Sequence, residues 1–421
     1  MPSEIPVPMA ALTLRQLLPA IAGVYITQTV LTALGMQAMP TLLREAGASL
    51  QLAGMSSIFM LAWVFKFLWA PVIERWRLPS GTLKRRSRQL ILAGQCLLAL
   101  LFVALSIWAG LPGFSLQSHG MWLLVGLVLA SLITASVDTA GDGFVIDQLS
   151  SRQRGWGNAV QVGGSYFGAL LGGSGFLLVV NYWGLSWGLL AVGIAFVVLS
   201  LPLLPVHEPA RGDTAAATHR PSLRHALRRP RVRAGILVAL LINAGVYISL
   251  TMLGPMFIDH GASMEHVGWL FGTLSIGAGL AGTLAGGVLV RLAPGWRAVW
   301  IALAAQALAQ AVLAIALYQG AATLDLLAWL AGVHFFLMAC GFVAGYSALM
   351  GLTSPLQAGV DFTLFQCAQA CMGGLGGVLG GWLSQHWGFA ACFGVAAALC
   401  AVAGLTIFLR ADLSPGLKLN D

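Results

Sequence analysis

The stretch KRRSRQLILAGQCLLALLFVALSIWAG, residues 84–110, decides the fold. Lys84, Arg85, Arg86 and Arg88 crowd its start, and from Gln89 to Gly110 no charged residue follows. As a helix rising about 1.5 Å per residue that run is about 33 Å long. The hydrocarbon core of a bilayer is about 30 Å thick. A basic cluster at the mouth of such a run marks the cytoplasmic side, where Lys and Arg accumulate.

The pattern repeats along the 421 residues. Windows of about 19 residues place runs near 17–37, 52–73, 89–110, 121–146, 157–181 and 184–205. A second set follows near 234–257, 266–290, 298–319, 324–350, 360–384 and 387–409. The composition agrees, with 58% hydrophobic and 9% charged residues, where soluble chains carry about a quarter charged. Strand-length alternation is missing, which removes a barrel. The expected fold class is all-α integral membrane, with twelve transmembrane helices. The first fourteen residues lack a basic start and cleavage site, so the first run is expected to be retained.

Between the two sets lies 206–233, polar and broken by Glu208, Pro209, Gly212, Asp213, Pro221 and Pro230. It divides the chain into a six-helix half (1–205), a basic linker (206–233) and a second six-helix half (234–421). The charges orient it. Arg75, Arg77, Lys84, Arg85, Arg86 and Arg88 follow the second run, and Arg152 and Arg154 the fourth. Seven arginines from Arg211 to Arg233 fill the linker, then come Arg291, Arg297, Arg410 and Lys418. The opposite side holds Arg44 alone. With Arg15 before the first run, both termini are expected in the cytoplasm. The net charge of +8 is thereby read as loop asymmetry, not as a nucleic-acid surface. Trp76, Trp108, Trp122, Trp156, Trp183, Trp296 and Trp387 sit near run ends, as an aromatic belt or as packing.

Ionisable groups inside the runs are few, and each is costly there unless paired or facing a cavity. They are Lys66, Asp138, Asp142 and His334, with Asp147 and Asp361 at cytoplasmic ends. Lys66 precedes the exit at Glu74 by eight residues and Asp138 precedes Asp147 by nine. Both therefore lie about 12–13 Å inside, and Asp142 about 7 Å. Asp138 and Asp142 share one helix face. A buried cluster of Lys66, Asp138 and Asp142 is expected, as a working part or as a fixed pair that orients helices.

A second polar set comprises Gln28, Gln95, Gln161, Tyr166, Asn243, Tyr247, His334, Gln366 and Gln369. Such groups bond to neighbouring helices or face water. Each alone reads as interhelical glue, and together they read as a cavity. His334 is either a proton carrier or bonded to a backbone carbonyl. Glycines gather at Gly164, Gly168 and Gly172 in the fifth run. They recur at Gly268, Gly272, Gly277, Gly279 and Gly282 in the eighth and from Gly373 to Gly381 in the eleventh. Small residues let backbones approach closely in lipid, as static packing or as sliding faces between the fifth and eighth runs. The six cysteines all lie in apolar runs; Cys367 and Cys371 share a face without a His or acidic partner, so packing and no metal site is expected.

Two motifs carry a family resemblance. Phe65-Lys66-Phe67-Leu68-Trp69-Ala70-Pro71 with Glu74-Arg75 and Arg85-Arg86 resembles the second-helix exit of muropeptide permeases and acetyl-coenzyme A transporters, within the major facilitator superfamily. Ser136-Val137-Asp138-Thr139-Ala140-Gly141-Asp142-Gly143, running into Asp147 and Arg154-Gly155, is similar to the fourth helix of that group. Two departures are Glu74, where the group usually has Asp, and Gly143. The stretch from Met39 to Leu50, with Arg44, Glu45 and Gly47, resembles the first loop of the branch that imports ferric siderophores of the pyochelin and rhizobactin type.

The resemblance implies two halves with a substrate site near the midplane. It also implies a cytoplasmic gate, here Glu74, Arg75, Arg85, Arg86, Asp147 and Arg154. Lys66, Asp138 and Asp142 become the coupling cluster. Gln28, Trp63, Gln95, Gln161, Tyr166, Asn243, Tyr247, His334 and Gln366 become the cavity. The expectation is a monomeric, proton-coupled importer of a ferric siderophore, multi-pass in a bacterial inner membrane. Its partners are a small molecule, protons and lipid, with no cofactor. Lys66 would meet an anionic group while Trp63 and Tyr247 stack on the iron chelate, whose metal travels wrapped. Import of muropeptides or another anionic conjugate is the alternative, and an exporter or a membrane enzyme ranks behind. GxxxxGK[ST], HExxH and GxSxG are absent.

Overall fold

The computed structural model describes residues 12–39, 42–43, 60–150, 153–211, 219–262, 270–293, 295–320 and 323–410. The loop residues Pro40, Thr41 and 44–50, the first parts of the second and eighth runs (52–59 and 266–269), Arg152, Gly212, Asp213 and Lys418 lie outside the described residues. Among the described residues all regular structure is helical, and ten helices are long and apolar enough to cross a membrane.

The elements are α1 (Leu14–Ala33), α2 (Leu61–Phe65), α3 (Ala70–Arg77), α4 (Ser87–Ala109), α5 (Leu116–Gln148) and α6 (Arg154–Leu170). Then come α7 (Phe176–Trp183), α8 (Leu185–Ser200), α9 (Leu223–Arg228) and α10 (Pro230–Asp259). The remainder are α11 (Ser275–Leu292), α12 (Trp296–Tyr318), α13 (Leu324–Met350) and α14 (Ala358–Arg410). Ends follow local chemistry. Thr13 and Gln16 form a capping box on α1, and the Thr323 hydroxyl accepts from the Leu326 amide (3.3 Å) at the start of α13. Pro71 and Pro230 occupy first-turn positions, where a missing N–H costs nothing.

Two turns are set by the same dipeptide. Trp183-Gly184 separates α7 from α8, with Gly184 at φ 89° and ψ 168°. Trp387-Gly388 breaks α14 into two helices, with Gly388 at φ 79° and ψ 169°. Only glycine takes this conformation without strain, so both hairpins turn within a single residue. The second run differs from an unbroken helix: Lys66–Leu68 is 3-10. Pro71 supplies the reason, because its ring clashes with the carbonyl four residues earlier and removes a helical hydrogen bond.

The chain packs as two compact units. One holds residues 1–148, 167–223 and 354–363. Its core joins α1, α4, α5, α7 and α8 through Leu31, Leu98, Phe102, Leu123, Leu127, Phe176, Leu189 and Phe196. Phe102 and Phe196 meet edge to face at 5.3 Å. Ser106 and Ser186 exchange hydroxyl-to-carbonyl bonds (2.7 and 2.8 Å) between α4 and α8, which serves as polar glue in lipid.

The other unit holds 149–166, 224–353 and 364–421. In it α6 lies along α11: a Cβ on Gly287 would sit 3.4 Å from Trp156 and Ala159, and one on Gly163 3.5 Å from Thr283 Oγ1. Gly279 of α11 lies against the Tyr166 ring, and Gly282 lies against the Phe336 carbonyl of α13. The glycines of α11 thus serve two different neighbours.

Candidate functional site

Ala70 and Pro71 start α3, and the 3-10 turn ahead of them directs Lys66 inward, where it is 1% exposed. Lys66 Nζ donates to Asp138 Oδ2 of α5, itself 1% exposed. The Trp63 ring lies under the ammonium, 5.2 Å from nitrogen to ring centroid, a geometry that stabilises a cation. Trp69 Nε1 donates to Ser136 Oγ (3.1 Å), tying the same two segments. One turn along α5, Asp142 Oδ1 accepts from the Tyr25 hydroxyl of α1 (2.7 Å). Sequence reasoning missed Tyr25, because a tyrosine in an apolar run has no sequence-local sign of its partner. A pair this dry amplifies any change of charge: a lone charge at mid-membrane costs about 2.5–3.5 kcal/mol.

At the basic end stands a second network, centred on a residue outside the expected gate. Arg77, fully buried, donates from Nε to Glu74 Oε2 (2.8 Å) and from Nη2 to Glu74 Oε1 (2.7 Å). Its Nη1 donates to Asp147 Oδ2 (2.5 Å) and to Ser87 Oγ (3.3 Å), while Arg85 Nε stands 3.4 Å from Asp147 Oδ2. Burial alone works against the charged guanidinium, but the Asp147 and Glu74 carboxylates outweigh it and hold the Arg77 pKa above its ordinary value. Gly143 belongs to this network, since a Cβ there would lie 2.7 Å from the Arg77 guanidinium carbon. Glu74 Oε1 also accepts from the Gly359 amide (3.2 Å) at the start of α14. Glu208 of the linker caps α4 by accepting from the amides of Ser87 (3.0 Å) and Arg88 (2.8 Å).

The expected gate is therefore brought together in part. Glu74, Asp147 and Arg85 join. Arg75 instead donates from Nε to the Pro221 carbonyl (3.0 Å), Arg86 is exposed, and Arg154 opens α6 in the other unit. Residues three apart on a helix share a face and adjacent ones do not. That spacing favours Arg77 over Arg75 as the partner of Glu74, and it was available in the sequence.

The polar set is divided between the units. Gln28 and Gln95 are buried (7% and 1%), and neither end of the Gln95 amide finds a partner among the described residues. Gln161 is buried on α6, and Gln366 is half-buried on α14. Asn243 Nδ2 donates to its own helix at the Ala239 carbonyl (2.7 Å). Tyr247 accepts from Gln369 Nε2 (3.2 Å) and packs near Phe342, 6.3 Å between centroids. His334, 1% exposed, is bonded through Nδ1 to Gln306 Nε2 of α12 (2.7 Å), a side-chain amide and not a backbone carbonyl. Gln310 Nε2 of the same helix donates to Ser249 Oγ (2.9 Å). Gln306 and Gln310 escaped the sequence reading, although they sit one turn apart in an apolar run.

Buried opposite charges in a polytopic helical chain now meet a family match. Residues 21–262 match the family model described as Major Facilitator Superfamily. The chain belongs to the major facilitator superfamily. Among curated relatives of this superfamily member is the anhydromuropeptide permease of Escherichia coli (strain K12). It is 28% identical over 262 residues, covering 60% of this chain and 51% of the relative. The chain thus spans about half the length of the curated relatives it matches first. Two solved structures share the superfamily fold at 14% identity. The proton:xylose symporter XylE superposes with a TM-score of 0.67, covering 94% of each chain. The E. coli fucose:proton symporter FucP superposes with a TM-score of 0.69, covering 93% of this chain and 98% of that one.

Proposed function

We propose that this chain is a secondary active transporter of a bacterial inner membrane. It imports an anionic conjugate together with protons, by alternating access and as a monomer. The observation that carries the reading is the dry Lys66–Asp138 pair beside Asp142 and Tyr25, set deep in the apolar runs and apart from the charges of the basic end. A proton arriving on Asp138 cancels its charge and releases the Lys66 ammonium to an anionic group of the cargo. Departure of both restores the pair. The network of Glu74, Arg77, Asp147 and Arg85 then acts as the lock of the cytoplasmic end. The turn at Gly388 and the broken segment 61–77 support twelve crossings, and the loop charges support cytoplasmic termini.

For the cargo, likeness to an anhydromuropeptide permease favours a muropeptide-type conjugate, whose carboxylates suit Lys66. The second reading, a ferric siderophore, rests on the resemblance of residues 39–50 to that branch. Uptake of labelled muropeptide against labelled ferric chelate, in cells lacking their own importers, separates the two. Accumulation of neither sinks both, and uptake that survives a protonophore sinks the proton coupling.

A further inference from the structure

A cleft of about 210 Å³ lies at the basic end, between the exit of α3 and the linker residues that precede α9. Arg75, Leu78, Ser80, His219, Arg220 and Pro221 line it, and no carboxylate is among them. Its walls are fastened. Arg75 Nε is bonded to the Pro221 carbonyl (3.0 Å), and His219 Nε2 to Gln357 Oε1 (3.1 Å). Gln357 also accepts from the Ser222 amide (3.1 Å), donates to the Ser222 carbonyl (3.3 Å), and donates to Asp361 Oδ1 (3.1 Å). The linker is thus held as one wall and the helix exit as the other.

Two arginines line this space, and no carboxylate lines it with them. The bond to Pro221 uses only Nε of Arg75, leaving Nη1 and Nη2 without a partner among the described residues. Arg220 is exposed and makes no hydrogen bond or ion pair with any described residue. Like charges held together repel, and a ligand with several anionic oxygens removes that cost. Guanidinium forks match phosphate oxygens in charge and geometry, and the Ser80 hydroxyl adds a neutral donor. Depth points to a source. Leu68, Val72 and Trp76 are 59%, 41% and 57% exposed at every fourth position, an apolar edge that ends in a tryptophan. Tryptophan marks headgroup level, so Arg75, its neighbour, opens there too. Basic pockets on the cytoplasmic side meet anionic lipid headgroups at that level.

We infer that this cleft binds a phosphate-bearing anion, with an anionic phospholipid headgroup as the source its depth favours. The inference does not rest on the transport reading. The test uses the full chain in phosphatidylcholine bicelles, titrated in one arm with phosphatidylglycerol and in the other with inorganic phosphate. Arg220→Ala and Ser80→Ala are compared with Arg228→Ala, which removes the same charge from α9 outside the cleft. Losing one charge-assisted contact weakens binding about tenfold in Arg220→Ala, with a smaller loss in Ser80→Ala and none in Arg228→Ala. Saturation by phosphatidylglycerol alone assigns the site to lipid. Saturation by phosphate with the same variant pattern assigns it to a soluble anion. Equal losses in Arg220→Ala and Arg228→Ala, or binding of neither probe, overturns the inference.

Discussion

Replacing Asp138 by Asn leaves the shape of the buried pair and removes one charge. Lys66, 1% exposed, then keeps its ammonium opposite a neutral amide in place of the Asp138 carboxylate. A charge at mid-membrane costs up to about 2.5–3.5 kcal/mol. The Trp63 ring, 5.2 Å away, remains and offsets about 0.5–1 kcal/mol of it. The balance, about 1.5–3 kcal/mol, shifts the equilibrium between a state that buries Lys66 and one that solvates it by roughly 10- to 150-fold. Two assays separate coupling from collapse. Exchange of cargo across proteoliposomes at equal concentrations needs no proton gradient and should persist in Asp138→Asn, while gradient-driven accumulation should fail. Lys66→Met with Asp138→Leu should restore most of the stability, because replacing both members of a buried pair is close to neutral, yet should stay uncoupled. The reasoning is refuted if Asp138→Asn accumulates cargo at the wild-type rate with unchanged pH dependence. It is equally refuted if the double variant regains accumulation, since the pair would then only orient helices.

Arg77→Gln removes the guanidinium that two buried carboxylates share and should cost about 3–5 kcal/mol in denaturant unfolding, whereas Arg75→Gln, on an exposed side chain, should cost under about 1 kcal/mol; equal losses would remove Arg77 from the centre of the network. Gly282→Ala pushes a methyl into the Phe336 backbone carbonyl and should cost about 1–3 kcal/mol. By contrast Gly277→Ala, with nothing within 4 Å, should be neutral or stabilise by up to about 1 kcal/mol. If thermal melts show both glycine variants alike, the close approach of α11 to α13 is wrong. Gln306→Met strips His334 of its bonded amide and should destabilise by about 1–3 kcal/mol, read by the same melts; an unchanged midpoint would mean that His334 is satisfied by another group.

The linear sequence carries what a bilayer reads: where apolar length suffices to span, where positive charge gathers, and how deep each intramembrane charge lies. Spans such as 89–110 and 324–350 lie close to α4 and α13 because hydropathy sums along the chain regardless of neighbours. The equal depth of Lys66 and Asp138 was legible for the same reason. Partner choice was not, because it depends on angle around the helix axis and on which distant helix lies there. Arg75 and Arg77 are nearly alike in depth, yet one faces Glu74 and Asp147 and the other the linker. Tyr25 lies 117 positions from Asp142, and Gln306 lies 28 from His334. Gly143, a departure from the family pattern in one dimension, is in three the space that an arginine occupies. Depth is a property of one helix against the membrane and can be counted, whereas contact belongs to pairs of helices and exists only once they pack.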